Sequence, residues 1–128
     1  MGRYLLDTHA AIWFFNGDDA LSETAKKIIL DTSNTKYLNV VSVWEVTVKL
    51  SIGRLDVVGK TADFVEDAKI NGFIILPIRI SHLTALESLP LIHRDPFDRL
   101  LIATAIAEEM TLITADGNIK RYDVNQTW

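Results

Sequence analysis

The sequence predicts a three-layer α/β/α fold with a mostly parallel central sheet. Short apolar runs rich in β-branched residues alternate along the whole chain with stretches of helical length. Helix signals separate them: Ser, Thr or Asp opens several of the longer stretches, and Gly or Asn-Gly closes them. Strands that alternate with helices are joined by right-handed crossovers, which makes neighbouring strands parallel and places helices on both faces.

Arg3 to Leu6 reads as the first strand, and Asp7-Thr8 leads into a helix over Ala10 to Phe15. After the turn at residues 16–19, Ser22 caps a second helix, Glu23 to Asp31. Lys36 to Val41 is the second strand. Thr61 caps a helix ending at Asn71-Gly72, and Phe73 to Ile80 is a third, strongly apolar strand. Ser81 opens a short helix that stops before Pro90. Asp95-Pro96 begins a long helix to about Met110, because Asp is a good N-cap and Pro fits the first helical position. Thr111 to Thr114 is the fourth strand, Asp116-Gly117 a turn, and Lys120 to Val124 a short closing element.

Residues 42–52 are ambiguous, since Val46 to Ile52 alternates with period two and is rich in β-branched residues. A strand from Tyr37 to Ile52 exceeds the usual length of about 3–10 residues. Ser42-Val-Trp-Glu45 has the form of a capping box and Gly53 is a helix stop, so the stretch is assigned as helix.

With 128 residues, 48% of them apolar, the chain supports one core, expected to span residues 1–128 as a single domain. No linker, repeat or low-complexity tract divides it. No apolar run nears the roughly 18 residues of a membrane span, and Met1-Gly-Arg-Tyr leads straight into a strand; a cytoplasmic protein with no membrane partner is expected. The absence of Cys excludes disulfides, thiolate nucleophiles and Cys-bound metals. A net charge of −4 excludes polyanion binding by a broad basic surface; such contact must be local or bridged by cations.

In a parallel sheet the ligand site lies outside the carboxyl ends of the strands. Asp7 and Asp116 follow strands directly, and the helices that cross back start at the same edge, which places Glu45 and Asp98 there too. Each has an ordinary structural reading as well. Asp7 suits a helix cap, Glu45 the third residue of a capping box, Asp98 a dipole-stabilising acid, and Asp116-Gly117 a turn. Asp98, however, stands above an apolar stripe at Leu101, Ile102 and Ala105. Four like charges in one cleft repel unless protons or cations compensate them. Hard oxygen ligands without Cys suit Mg²⁺ or Mn²⁺ better than Zn²⁺, and such ions activate water and clamp phosphate oxygens in phosphodiester hydrolysis. Arg94 and Arg99 are candidates for phosphate contact or for ion pairs with Asp95 or Asp98. His9, His82 and His93 read as surface or packing residues.

Residues 4–10 (Tyr-Leu-Leu-Asp-Thr-His-Ala), 42–45 (Ser-Val-Trp-Glu), 93–105 (His-Arg-Asp-Pro-Phe-Asp-Arg-Leu-Leu-Ile-Ala-Thr-Ala) and 112–116 (Leu-Ile-Thr-Ala-Asp) resemble the successive motifs of PIN-domain proteins, most closely the VapC-like toxins of type II toxin–antitoxin pairs. The resemblance covers nearly the whole chain in order. It implies a metal-dependent endoribonuclease, a small cognate antitoxin and a homodimer. Matched by position, it assigns Asp7, Glu45, Asp98 and Asp116 as catalytic and metal-binding acids, with Asp95 left as an N-cap and Thr8 and Thr114 as polar support. The residues point to Mg²⁺, with Mn²⁺ as the other candidate ion, and the resemblance implies that the reaction is Mg²⁺-dependent RNA cleavage. A catalytically silent RNA-binding or interaction domain is the alternative. A receiver-like module is disfavoured because the third strand carries no acid, and a haloacid-dehalogenase-like phosphatase because His9 stands where its second Asp belongs.

Overall fold

A computed structural model of the chain describes residues 1–54 and 59–128. Its elements are β1 (Arg3–Leu6), α1 (Thr8–Asn16), α2 (Glu23–Leu30), β2 (Thr35–Asn39), α3 (Val40–Ser51), α4 (Thr61–Ile70), β3 (Ile74–Leu76), α5 (Ile80–Glu87), α6 (Pro96–Glu108), β4 (Thr111–Ile113), a 3-10 turn (Ile119–Arg121) and β5 (Gln126–Thr127). The sheet order is β3-β2-β1-β4-β5 and every pairing is parallel. Helices cover both faces, so the predicted three-layer class holds.

The period-two alternation of strand side chains divides the core in two. Leu6, Leu38 and Ile113 face Ala10 and Ile12 of α1, Ile29 of α2 and Phe64 of α4. Leu5, Leu76 and Leu112 face Leu101, Ile102 and Ala105 of α6, on which α5 packs. Each fully buried Leu, Ile or Phe contributes about 1.5–3 kcal/mol. Strand order then locates the chemistry. The chain leaves β1 toward β2 and β3, and returns on the other side as β4, so the carboxyl-end crevice between β1 and β4 is the topological switch point where ligands bind in such sheets.

Several boundaries differ from the sequence reading. β2 stops at Asn39, whose side chain accepts from Val41 N at 2.8 Å and caps α3; Ser42 is therefore inside the helix, and Glu45 lies in its second turn, not its first. β3 has three residues where Phe73 to Ile80 was expected: Pro77 has no N–H to donate to a ladder, and Ile80 already begins α5. Lys60, not Thr61, occupies the cap position of α4, with its N–H donating to Asp63 Oδ2 at 2.8 Å. Arg79, not Ser81, occupies that of α5, where its N–H donates to His82 Nδ1 at 3.1 Å. The closing segment holds a 3-10 turn and then an edge strand, β5, too short for its pattern to register in the sequence.

Candidate active site at the carboxyl edge of the sheet

Asp7 follows β1 and caps α1: its Oδ1 accepts from Ala10 N at 2.7 Å. Its Oδ2 accepts from the Thr114 hydroxyl at 2.6 Å, across the switch point from the end of β4. Thr114 Oγ1 in turn accepts from Asp116 N at 3.1 Å, so one hydroxyl ties the two acids that follow β1 and β4. Asp116 uses Oδ1 to close its turn, accepting from Asn118 N at 2.7 Å, which leaves Oδ2 for the cleft. The cap and turn readings of these acids are thus compatible with a functional one, because only one oxygen of Asp116 does the structural work. Asp7, Asp116, Ala115, His9 and Trp13 line a cleft of ≈ 240 Å³. Burial raises the Asp7 pKa, the Thr114 and Ala10 hydrogen bonds oppose that rise, and the nearby Asp116 charge adds to it.

Asp98 reaches the same rim from the first turn of α6. Asp95 is the N-cap, its Oδ1 accepting from Phe97 N at 2.8 Å, and Leu101 and Ile102 below Asp98 are fully buried, as the apolar stripe predicts. Burial lifts the Asp98 carboxyl to about 7, and the charges of Asp95, Glu45 and Asp116 push in the same direction while His93 opposes them. His93 Nε2 lies 3.0 Å from Asp98 Oδ2 and hydrogen-bonds Asp116 Oδ2 at 3.4 Å. Sequence reading placed His93 outside the site. Its position within the His-Arg-Asp-Pro-Phe-Asp-Arg run was the available signal, but a loop residue offers no periodicity from which to infer its direction.

Glu45 is buried on α3 and carries its own compensation. Oε1 accepts from the Thr8 hydroxyl at 2.7 Å, and Oε2 pairs with Lys49 Nζ at 2.6 Å, one helical turn on. Ser42 Oγ is 3.0 Å from Thr8 Oγ1, on the same face of α3 as Glu45. Trp44, beside Glu45, meets Phe97, beside Asp98, edge to face with ring centroids 4.7 Å apart, which holds the starts of α3 and α6 together.

The two arginines differ. Arg94 is exposed and forms no ion pair among the described residues. Arg99 forms none either; Nη1 donates to Pro90 O at 2.8 Å and to Tyr122 Oη at 3.2 Å, and Nη2 donates to Leu89 O at 3.3 Å. Ion pairs with Asp95 or Asp98, one of the two alternatives for these arginines, do not form, and Arg99 instead braces the loop that carries His93. Of the other histidines, His9 is exposed, and His82 is buried, its Nε2 3.1 Å from Glu108 Oε1.

His93, Asp98 and Asp116 each offer an atom within 4.8 Å of the others, and Asp7 shares the cleft with Asp116. The carboxylates are a hard-oxygen set short of positive charge, which fits a divalent cation. A profile of the PIN domain family matches residues 4–125. The chain belongs to the PIN-domain family. PIN domains are in general nucleases, and the acids of this one stand where the sheet topology puts a ligand. Solved structures with the same fold include VapBC2 from Rickettsia felis bound to a DNA fragment from their promoter (18% identity, TM-score 0.73, covering 98% of each chain). DNA-bound VapBC from Salmonella typhimurium is 14% identical with a TM-score of 0.71, over 99% of this PIN domain and 98% of that chain. A toxin–antitoxin complex from Klebsiella pneumoniae is 17% identical with a TM-score of 0.66, over 98% and 96% respectively. No curated protein matches the sequence.

Proposed function

We propose that this chain acts as one PIN domain that hydrolyses RNA phosphodiesters with the help of Mg²⁺, Mn²⁺ being the other candidate ion, as the toxin of a type II toxin–antitoxin pair in the cytoplasm. The convergence of Asp7, Asp98 and Asp116 at the switch point, with the Asp98 carboxyl lifted to about 7, carries the reading. Asp7, Asp98 and Asp116 hold the ion. When bound, it supplies positive charge for phosphate oxygens and lowers the pKa of adjacent water. Glu45, fixed by Thr8 and Lys49, orients the attacking water and accepts its proton. In-line attack breaks the bond from phosphorus to the 3′ oxygen, leaving a 5′-phosphate and a 3′-hydroxyl. Arg94, exposed at the rim, contacts the phosphate chain, while Arg99 holds the loop beside it. The VapBC and toxin–antitoxin complexes that share the fold support a small protein antitoxin as partner, and the motif resemblance supports a homodimer.

The test is incubation of the purified protein with total RNA and Mg²⁺, with EDTA, and with Asp7→Ala or Asp98→Ala. Cleavage that needs the metal and both acids, and products carrying 5′-phosphates, are expected. Cleavage that survives EDTA or both substitutions overturns the mechanism; RNA bound but never cut by the metal-loaded wild type favours the silent alternative. Co-purification with a small protein encoded in the adjacent reading frame tests the partner.

A further inference from the structure

His93 sits among the acids like a metal ligand, but its hydrogen bonds point another way. The Asp95 backbone N–H donates to His93 Nδ1 at 3.2 Å. Nδ1 therefore presents a lone pair and the ring proton resides on Nε2, the atom that faces Asp98 Oδ2 at 3.0 Å and Asp116 Oδ2 at 3.4 Å. The opposite tautomer sets an Nδ1–H against the Asp95 N–H and, once both acids are ionised, a nitrogen lone pair against two carboxylates, so under mildly alkaline conditions it is worse at both ends. A metal-binding imidazole shows the reverse pattern: its remote nitrogen donates to a carbonyl or carboxylate, which frees the near nitrogen for the ion.

The loop is held rigidly enough to enforce this choice. Tyr122 Oη accepts from Ile92 N at 3.0 Å and from His93 N at 2.8 Å, and donates to Pro90 O at 2.8 Å. Arg99 binds that same carbonyl and the Leu89 carbonyl, so the chain just before His93 is fastened from α6 and from the segment after the 3-10 turn.

We infer that His93 is a positioning residue, locked as the Nε2–H tautomer, that presents a hydrogen-bond donor to Asp116 beside the Asp98 carboxylate and leaves the cation to carboxylate oxygens alone. The consequence, which rests on the metal-site reading above, is a hard-oxygen ligand set of the kind that suits Mg²⁺ and Mn²⁺, without the imidazole nitrogen that would add affinity for Zn²⁺ and Ni²⁺.

Two measurements test it. Long-range proton–nitrogen correlation spectra of ¹⁵N-labelled wild type at mildly alkaline pH report the tautomer directly, with or without Mg²⁺ and independently of any cleavage. An Nε2–H signature that survives saturating Mg²⁺ is expected; an Nδ1–H signature, or an Nε2 that loses its proton when Mg²⁺ is added, overturns the inference. Calorimetric titration with Mn²⁺ adds the functional half. His93→Ala should weaken binding about tenfold or more. His93→Gln, whose amide nitrogen reaches the place of Nε2 as a donor, should recover to within about threefold of wild type. Gln no better than Ala, or Ala unchanged, contradicts the role. A wild type that binds no Mn²⁺ and cuts no RNA defeats the nuclease reading, while the spectra still decide the tautomer.

Discussion

The two halves of the acidic rim solve the same electrostatic problem differently. On the α3 side, Glu45 is almost fully buried yet has Lys49 at 2.6 Å and the Thr8 hydroxyl at 2.7 Å, so its charge is balanced within the chain. On the β1–β4 side, Asp7 and Asp116 accept hydrogen bonds and Asp98 lies beside His93, but none of the three has a Lys or Arg partner among the described residues, and burial raises the pKa of Asp7 and Asp98. On the function proposed above, the difference would separate a carboxylate suited to work as a fixed base from carboxylates suited to receive a cation. On the same proposal, an acidic protein would act on a polyanion because the ion brings positive charge to the place where phosphate docks.

The largest effect expected from this contrast is on turnover. Asp98→Asn or Asp116→Asn should lower RNA cleavage by at least about a hundredfold. The metal-free Asp98→Asn protein should nevertheless melt about 2–6 °C above wild type at neutral pH, because it relieves the repulsion. An Asp98→Asn variant less stable than metal-free wild type would mean that Asp98 is satisfied as it stands. Next in size, Lys49→Met leaves Glu45 buried and unpaired and should cost about 1–3 kcal/mol in denaturant unfolding, more than Lys→Met at an exposed site such as Lys26. Equal costs would erase the contrast.

A pH series sharpens it further. The folded Asp98 carboxyl sits at about 7 against 3.8 for its ordinary value, so folding favours the protonated form. That stabilisation is complete below the ordinary value and is lost as pH rises through about 7; Asp7 shifts in the same direction. Mn²⁺ should therefore raise the melting midpoint more at about pH 8 than at about pH 5, where protons already occupy the site. A shift independent of pH contradicts this. The smallest effect is expected from Tyr122→Phe, which removes the oxygen that holds the Ile92 and His93 amides. It should cost about 1 kcal/mol of stability and weaken Mn²⁺ binding severalfold without abolishing cleavage, as calorimetry and an RNA assay would show.

The layered architecture and the parallel sheet were legible in the sequence because alternation of strands with helices admits few topologies. The meeting of Asp7, Glu45, Asp98 and Asp116 at one edge follows from the same logic, since strand ends and returning helix starts share that rim. What escaped were features set by tertiary contact. Ser42 reads as a cap, but Asn39 takes that role and frees Ser42 to meet Thr8. Phe73 to Ile80 reads as a long strand because apolar character does not reveal where a ladder ends, although Pro77 marks the place. His93 escaped because its direction depends on Tyr122, 29 residues away, and on the backbone of Asp95.

The most direct measurement is Mn²⁺ affinity by calorimetric titration across wild type, Asp98→Asn, Asp116→Asn and Glu45→Gln. Wild type should bind, the two Asp variants should lose at least about tenfold, and Glu45→Gln should stay within about threefold because Lys49 already balances that charge. Loss in Glu45→Gln as deep as in Asp98→Asn, or a wild type that binds no ion, would contradict the division of the rim into a self-neutralised half and a cation-seeking half.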